Sequence, residues 1–106
     1  MTKIKKESRI LSEVREAAQD LQDAGAISLA TMREFDALCL PEVPHYTPAD
    51  IKRIRTANRT SQGVFAAYLN VSKATVTAWE QGIKEPSSMG LKLLNLVDRK
   101  GISTLA

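Results

Sequence analysis

The chain has 106 residues, with 15 Lys or Arg, 12 Asp or Glu and a formal net charge of +3, which allows one small domain and an additional arm. Cys39 and His45 are the only residues of their types, which excludes an intramolecular disulfide and a cysteine-rich metal site, and we expect no cofactor. No apolar run approaches the length of a membrane span, and no signal-peptide core follows the basic N-terminus. These features predict a cytoplasmic protein without membrane contact.

The charges are unevenly distributed along the chain. Residues 1–45 contain six basic and eight acidic side chains, whereas residues 46–106 contain nine basic and four acidic ones. The second part therefore carries the basic character expected of a surface that binds a polyanion such as DNA.

Residues 8–24 have the pattern of an amphipathic helix. The apolar positions recur at helical spacing, and they are Ile10, Val14, Ala17 and Leu21, with Leu11 and Ala18 beside them. Gly25 is a suitable stop, because glycine accepts the left-handed conformation that follows many helices. Such a short helix is marginal alone, so its apolar face needs a surface to pack against.

Residues 26–40 allow two interpretations. The alternation of Ile27, Leu29 and Thr31 with smaller residues favours a short strand. Thr31 followed by Glu34 could equally form a capping box that opens a helical turn through Phe35 and Leu38. The prolines at 41 and 44 then indicate a linker.

A helix start follows the linker. Thr47 can accept from the first backbone N–H groups, Pro48 suits the first helical position, and Asp50 favours the positive end of the helix. Ile51 and Ile54 are expected inside, and the helix should end near residue 57 or 58.

Residues 60–82 predict two helices joined by a short turn. Ser61 and Ser72 are expected to cap the two helices, and Asn70 tolerates the positive φ that a tight turn requires. The residues expected inside are Val64, Phe65, Ala66, Leu69, Val71, Val76 and Trp79. The side chains expected to point outward near the start of the second helix are those of Lys73, Ala74, Thr75, Thr77 and Ala78.

A last helix is predicted after Pro86, with Leu91, Leu94 and Val97 on one face. Because one small domain reads few base pairs, we expect a homodimer. The candidate dimer contacts are Leu96, Val97, Ile102 and Leu105, and Leu96 and Val97 could equally pack within the protomer.

The helix pair resembles the Xre/Cro helix-turn-helix family. The matching positions are Ser61, Gln62, Ala66, Val71, Ser72, Val76, Trp79, Glu80, Gly82 and Pro86. The resemblance implies that Arg55 pairs with Glu80 and ties the first helix of the domain to the recognition helix. Two residues depart from the family pattern: Thr60 replaces a usual Leu or Val, and Gly63 lies inside a helix at a cost of about 0.5–1 kcal/mol.

The resemblance also implies a site for double-stranded operator DNA. The residues expected at DNA are Gln62, Lys73, Ala74, Thr75, Thr77, Ala78 and Lys84. Gln62, Thr75 and Lys84 are expected at phosphates, whereas the other four face bases. The predicted fold is all-α, with a four- to five-helix Xre-like domain at residues 46–106 that binds DNA and dimerises.

The arm, residues 1–45, makes the chain similar to HigA-type antitoxins whose toxin-binding segment precedes the DNA-binding domain. That resemblance implies that the arm binds a basic RelE/HigB-like toxin that cleaves mRNA, and that the protein represses its own operon. An arm of this kind can be disordered alone and fold on binding. The expected partner contacts are Ile10, Val14, Ala17, Leu21, Ile27, Leu29 and Phe35.

Two other functions are alternatives to this hypothesis. A stand-alone Xre-like regulator would use the arm for dimerisation or for binding an effector. An enzyme would need Cys39 and His45 as a nucleophile and base, but no third residue is set to orient the histidine, so we expect no catalysis.

Overall fold

The computed structural model describes residues 2–106, with side chains described from residue 9 onward. The helices are α1 (Thr2–Asp23), α2 (Leu29–Leu38), α3 (Pro48–Ala57), α4 (Gln62–Leu69), α5 (Lys73–Glu80) and α6 (Ser88–Lys100), followed by a 3-10 turn at Ile102–Leu105. Residues 2–106 contain no strand, which confirms the predicted all-α class. The chain forms two compact units, Met1–Glu42 and Val43–Ala106.

The first unit is a pair of helices, whereas the sequence predicted one helix followed by either a short strand or a helical turn. Helix α1 ends at Asp23, and Gly25 follows with φ of 78°. The N–H of Gly25 donates to the carbonyl of Gln22, and the N–H of Ala26 donates to the carbonyl of Leu21. These bonds satisfy the last carbonyls of the helix and confirm Gly25 as its stop.

Of the two interpretations of residues 26–40, the short strand is wrong and the helical turn through Phe35 and Leu38 is confirmed, because α2 spans Leu29–Leu38. The Ser28 hydroxyl oxygen accepts from the N–H of Thr31 at 3.1 Å, so Ser28 rather than Thr31 caps the helix. Helical spacing buries Met32 and half-buries Phe35, while Leu38 stays exposed. The alternation was too short to outweigh this N-terminal cap and the burial of Met32.

Packing between α1 and α2 uses one face of α1. The Arg15 guanidinium donates to the Asp36 carboxylate at 2.7 Å, and the Cys39 thiol donates to the carbonyl of Leu11 at 3.1 Å. Among residues 9–42, only Ala18 and Met32 are fully buried. The pair of helices α1 and α2 therefore has a very small core of its own.

The second unit begins with the predicted capping box. The Thr47 hydroxyl accepts from the N–H of Asp50 at 3.1 Å, and the Asp50 carboxylate accepts from the N–H of Thr47 at 3.0 Å. Helix α3 ends at Ala57 and buries Ile51 and Ile54, as predicted.

Helices α3 to α6 surround one apolar core. Its buried members are Ile51, Ile54, Phe65, Ala66, Leu69, Val76, Trp79, Leu94 and Val97, with Tyr46, Val71, Leu93, Ile102 and Leu105 packed against it. Val64 was expected in this core, but it is 48% exposed because its neighbours Phe65 and Ala66 occupy the inward face of α4. Val97 is 1% exposed, so of its two interpretations the dimer contact is wrong and packing within the protomer is confirmed.

The segment before α3 is attached to α6 by a polar cluster. The Tyr46 hydroxyl donates to the Asp98 carboxylate at 3.2 Å and accepts from the Asn95 side-chain amide at 3.1 Å. Arg53 also donates to Asp98, at 3.4 Å. No helix within the described residues has both the length and the apolar character needed to cross a bilayer.

Candidate nucleic-acid and partner interfaces

The helix pair α4–α5 is held by the local signals that the sequence predicted. Ser61 accepts from the N–H of Val64 at 3.2 Å, and Ser72 accepts from the N–H of Thr75 at 3.1 Å. Asn70 ends α4 with φ of 57°, in the left-handed region that asparagine tolerates. These two caps and one turn residue set the relative direction of the two helices.

The end of α5 is fixed by Gly82, whose φ is 73°. The N–H of Gly82 donates to the carbonyl of Trp79, and the N–H of Ile83 donates to the carbonyl of Ala78. This arrangement closes the helix and turns the chain toward α6.

Arg55 and Glu80 form the bond expected between α3 and α5. Arg55 Nε donates to Glu80 Oε2 at 2.7 Å, and Arg55 Nη2 donates to Glu80 Oε1 at 3.0 Å. Their side chains are 13% and 5% exposed. The hydrogen bond from Arg55 lowers the pKa of Glu80, and the same bond raises the pKa of Arg55, so both groups are charged at neutral pH.

Thr60 has a structural role that explains its departure from the family pattern. Its carbonyl accepts from Arg55 Nη1 at 2.9 Å, and its hydroxyl donates to the Arg55 carbonyl at 3.1 Å. Thr60 thus binds both the side chain and the backbone of the arginine that holds α5. Leucine or valine would supply only the first of these contacts.

The residues predicted to face DNA differ in exposure. Lys73 and Ala74 are exposed at the start of α5, whereas Thr75, Thr77 and Ala78 are half-buried. Val76 and Trp79 point into the core, as expected from the helical period. The outward face of α5 therefore presents mainly small side chains, which would allow close approach to another surface.

The Gln62 side chain makes two hydrogen bonds to other side chains of the domain. Its amide oxygen accepts from the Thr77 hydroxyl at 2.9 Å, and its amide nitrogen donates to Glu80 Oε1 at 3.4 Å. The sequence pattern did not indicate these bonds, because Gln62 and Thr77 are 15 residues apart and become neighbours only when α4 and α5 pack.

The two lysines of the predicted site lie at opposite ends of α5. A Cβ atom placed on Gly63 would lie 3.9 Å from Lys73 Cδ, so the Lys73 stem passes beside the first turn of α4. Lys84 lies beyond Gly82, on the wall of a cavity of about 490 Å³ that Tyr46, Trp79 and Pro86 also line. Lys84 is thus placed away from the exposed start of the recognition helix.

The predicted partner contacts of the first unit are mostly at the surface. Four of them are between 42% and 56% exposed, and they are Ile10, Val14, Leu21 and Leu29. Ala17 is also exposed, whereas Ile27 and Phe35 are half-buried. The α1 stripe lies about a quarter turn around the helix from Leu11, Arg15 and Ala18, which face α2. We call the four α1 residues Ile10, Val14, Ala17 and Leu21 the apolar stripe.

Two similarities to known proteins bear on these surfaces. Residues 51–94 match the helix-turn-helix family. Over 53 residues the chain is 42% identical to Antitoxin HigA-2 of Vibrio cholerae serotype O1 (strain ATCC 39315 / El Tor Inaba N16961), a match that covers 50% of this chain and 51% of that protein. The chain thus spans about half the length of this relative, and the predicted resemblance to HigA-type proteins is confirmed over that part. The pair α4–α5 thus lies within the segment that matches the helix-turn-helix family, and the Arg55–Glu80 bond ties that segment together.

Proposed function

We propose that this protein is a transcriptional repressor that binds a double-stranded operator through α5 and acts as the antitoxin of a type II toxin–antitoxin module. Its first unit would neutralise a basic RelE/HigB-like mRNA-cleaving toxin, and the complex would repress its own operon. The observation that carries the proposal is the helix-turn-helix domain, with the outward face of α5 free, in a chain similar to HigA-2.

The charges support DNA as the ligand of the second unit. The excess of basic residues falls on residues 46–106, and Lys73 is exposed where the recognition helix begins. Residues near the start of such a helix reach base edges when it enters the major groove. Binding an operator in this way would place the protein in the cytoplasm together with its DNA.

The first unit presents a surface that suits a basic protein with an apolar groove. The apolar stripe is exposed, and residues 1–45 carry an excess of acidic groups. An amphipathic helix can place such a stripe in a groove, and opposite charges favour encounter with a basic protein. Because only Ala18 and Met32 are fully buried among residues 9–42, we propose that this pair of helices gains stability from its partner.

A homodimer remains part of the proposal, because two helix-turn-helix units can read a palindrome with half-sites about one helical turn apart. Among the predicted contacts, Ile102 and Leu105 pack partly against the protomer core, and Leu96 is half-buried. Sedimentation of the full chain with and without a palindromic duplex tests the stoichiometry: one protomer per duplex would contradict a dimeric repressor.

The toxin hypothesis is tested by co-expressing the chain with the product of the neighbouring gene and purifying the complex. Val14→Glu adds a charge to the apolar stripe and should abolish co-purification. Ser12→Glu adds the same charge on the opposite side of α1 and should leave the complex intact. If no complex forms, or if deletion of residues 1–45 leaves it intact, the proposed toxin-binding role fails.

A stable effect of the arm on oligomeric state, without any toxin gene nearby, would instead favour a stand-alone regulator that uses the first unit for dimerisation.

A further inference from the structure

We propose that Gln62 makes Thr77 a hydrogen-bond acceptor toward DNA, so that the domain prefers an amino base, adenine or cytosine, over a keto base, guanine or thymine, at one position of its site. This inference rests on the proposed binding of DNA by α5. It concerns the direction of the hydrogen bond made by the Thr77 hydroxyl. Three other side chains fix that direction, and they are Arg55, Glu80 and Gln62.

The first step is the state of Glu80. Two hydrogen bonds from Arg55, at 2.7 and 3.0 Å, hold Glu80 as a carboxylate. A carboxylate accepts hydrogen bonds and has no proton to donate. The Glu80 side chain is 5% exposed, so water contributes little to satisfying its oxygens.

The second step is the orientation of the Gln62 amide. Its two ends are chemically different: the nitrogen donates and the oxygen accepts. The end near Glu80 Oε1, at 3.4 Å, must be the nitrogen, since an amide oxygen there would face a carboxylate oxygen. The amide oxygen is thereby turned toward Thr77.

The third step is the Thr77 hydroxyl. It has a single proton, and it donates that proton in a hydrogen bond to the amide oxygen of Gln62 at 2.9 Å. Toward any other partner, Thr77 Oγ1 therefore offers only lone pairs. Thr77 is half-buried on α5, so part of this residue stays open to solvent on the helix that the proposal places at DNA.

The consequence follows from the chemistry of the major groove. Adenine N6 and cytosine N4 are amino donors there, whereas guanine O6 and thymine O4 are carbonyl acceptors. A hydroxyl free to rotate could accept from the first group or donate to the second. Thr77, with its proton held by Gln62, can bond only the amino group, and a carbonyl would leave two acceptors facing each other. Gln62 thus acts as a positioning residue, and it keeps a second amide proton for a phosphate.

The expected signature is a specific grouping of bases. Read on the contacted strand, A and C should bind alike at one position and about tenfold more tightly than G and T. This grouping differs from a purine–pyrimidine preference and from an A·T–G·C preference. Binding selection from random duplexes, followed by anisotropy titrations with all four bases at each position of the selected site, measures it on the full chain.

The deciding variant is Gln62→Met, which fills similar space without an amide oxygen. It frees the Thr77 proton, and the four bases should then bind within about twofold of one another at that position. Loss of a phosphate contact would weaken all sequences together and leave the grouping unchanged. Thr77→Val removes the hydroxyl on the recognition helix and should also abolish the grouping, which provides a second measurement if Gln62→Met does not fold.

The outcomes are distinct. Absence of any A/C grouping in the unsubstituted protein, or persistence of the grouping in either variant, overturns the role of Gln62 and Thr77. If the unsubstituted protein selects no sequence and shows no salt-dependent binding to any duplex, the proposed function itself has failed. A lost grouping in both variants, with preferences at other positions retained, is the result expected.

Discussion

Arg55 in α3 and Glu80 at the end of α5 are joined by two hydrogen bonds across 25 residues of sequence. The same arginine donates to the Thr60 carbonyl, and the same glutamate accepts from Gln62. This pair therefore connects the first helix of the domain to both helices of the helix-turn-helix unit. The Arg55–Glu80 pair therefore helps to fix the orientation of α5 relative to α3 and α4.

Removal of one partner should be costly. Arg55→Leu leaves the mostly buried Glu80 carboxylate without its cation, so we expect a loss of about 3–5 kcal/mol in the free energy of unfolding. Arg53→Leu is the matched control: Arg53 is 55% exposed and pairs with Asp98 at the surface, so its loss should cost less than about 1 kcal/mol. Urea unfolding followed by circular dichroism measures both, and equal losses would show that the Arg55 pair contributes no more than a surface pair.

Stability should fall in acid because of Glu80. Its pKa is lowered in the folded state, chiefly by the hydrogen bond from Arg55. The stabilisation is therefore fully present above the unfolded pKa of about 4.3, and is lost as the pH falls through the lower folded pKa. The free energy of unfolding, measured from pH 7 downward, should decrease below about pH 5. In Glu80→Gln this decrease should be smaller, and parallel curves for the two proteins would exclude Glu80 as its source.

Gly63 should be replaceable with a gain in stability. It lies inside α4 without a positive φ, and a new Cβ would meet Lys73 Cδ at an ordinary contact distance of 3.9 Å. Gly63→Ala should therefore raise the free energy of unfolding by about 0.5–1 kcal/mol through the lower entropy of the unfolded chain. A thermal melt of the variant measures this, and destabilisation would mean that Lys73 cannot adjust.

Gly82 should respond in the opposite way. Its φ of 73° disfavours a side chain, although a Cβ would lie at an ordinary 3.5 Å from Pro48 Cγ. Gly82→Ala should cost about 1–2 kcal/mol, and Gly82→Asn should cost less because asparagine tolerates this conformation. Equal unfolding energies for the two variants would contradict a backbone origin of the effect.

Lys73 is expected to bind DNA as the first exposed residue of α5. Lys73→Ala should weaken operator binding by about 1–3 kcal/mol and relax sequence preference if Lys73 reads a base. Lys92→Ala, which alters an exposed lysine on α6, is the control and should have little effect. A uniform loss on all duplexes would instead assign Lys73 to a phosphate, which its path beside Gly63 also allows.

Local sequence signals predicted the second unit well because they depend on neighbouring residues alone. The caps at Thr47, Ser61 and Ser72 each use a side chain three residues from its backbone partner. The first unit was harder, since five alternating residues could suit a strand or a helix. The Ser28 cap and the burial of Met32 against α1 favoured the helix, and the second of these is a long-range effect.

By itself the sequence determined the positions of the caps, the left-handed turn at Asn70 and the inward face of α5, because each follows from bonds or periodicity within one or two helical turns. The tertiary structure decided the rest. Only packing of α4 on α5 brings Gln62 to Thr77, and only the arrival of α6 turns Val97 from a candidate dimer contact into core. These contacts join residues that are distant in the sequence, so the spacing of residues along the chain does not predict them.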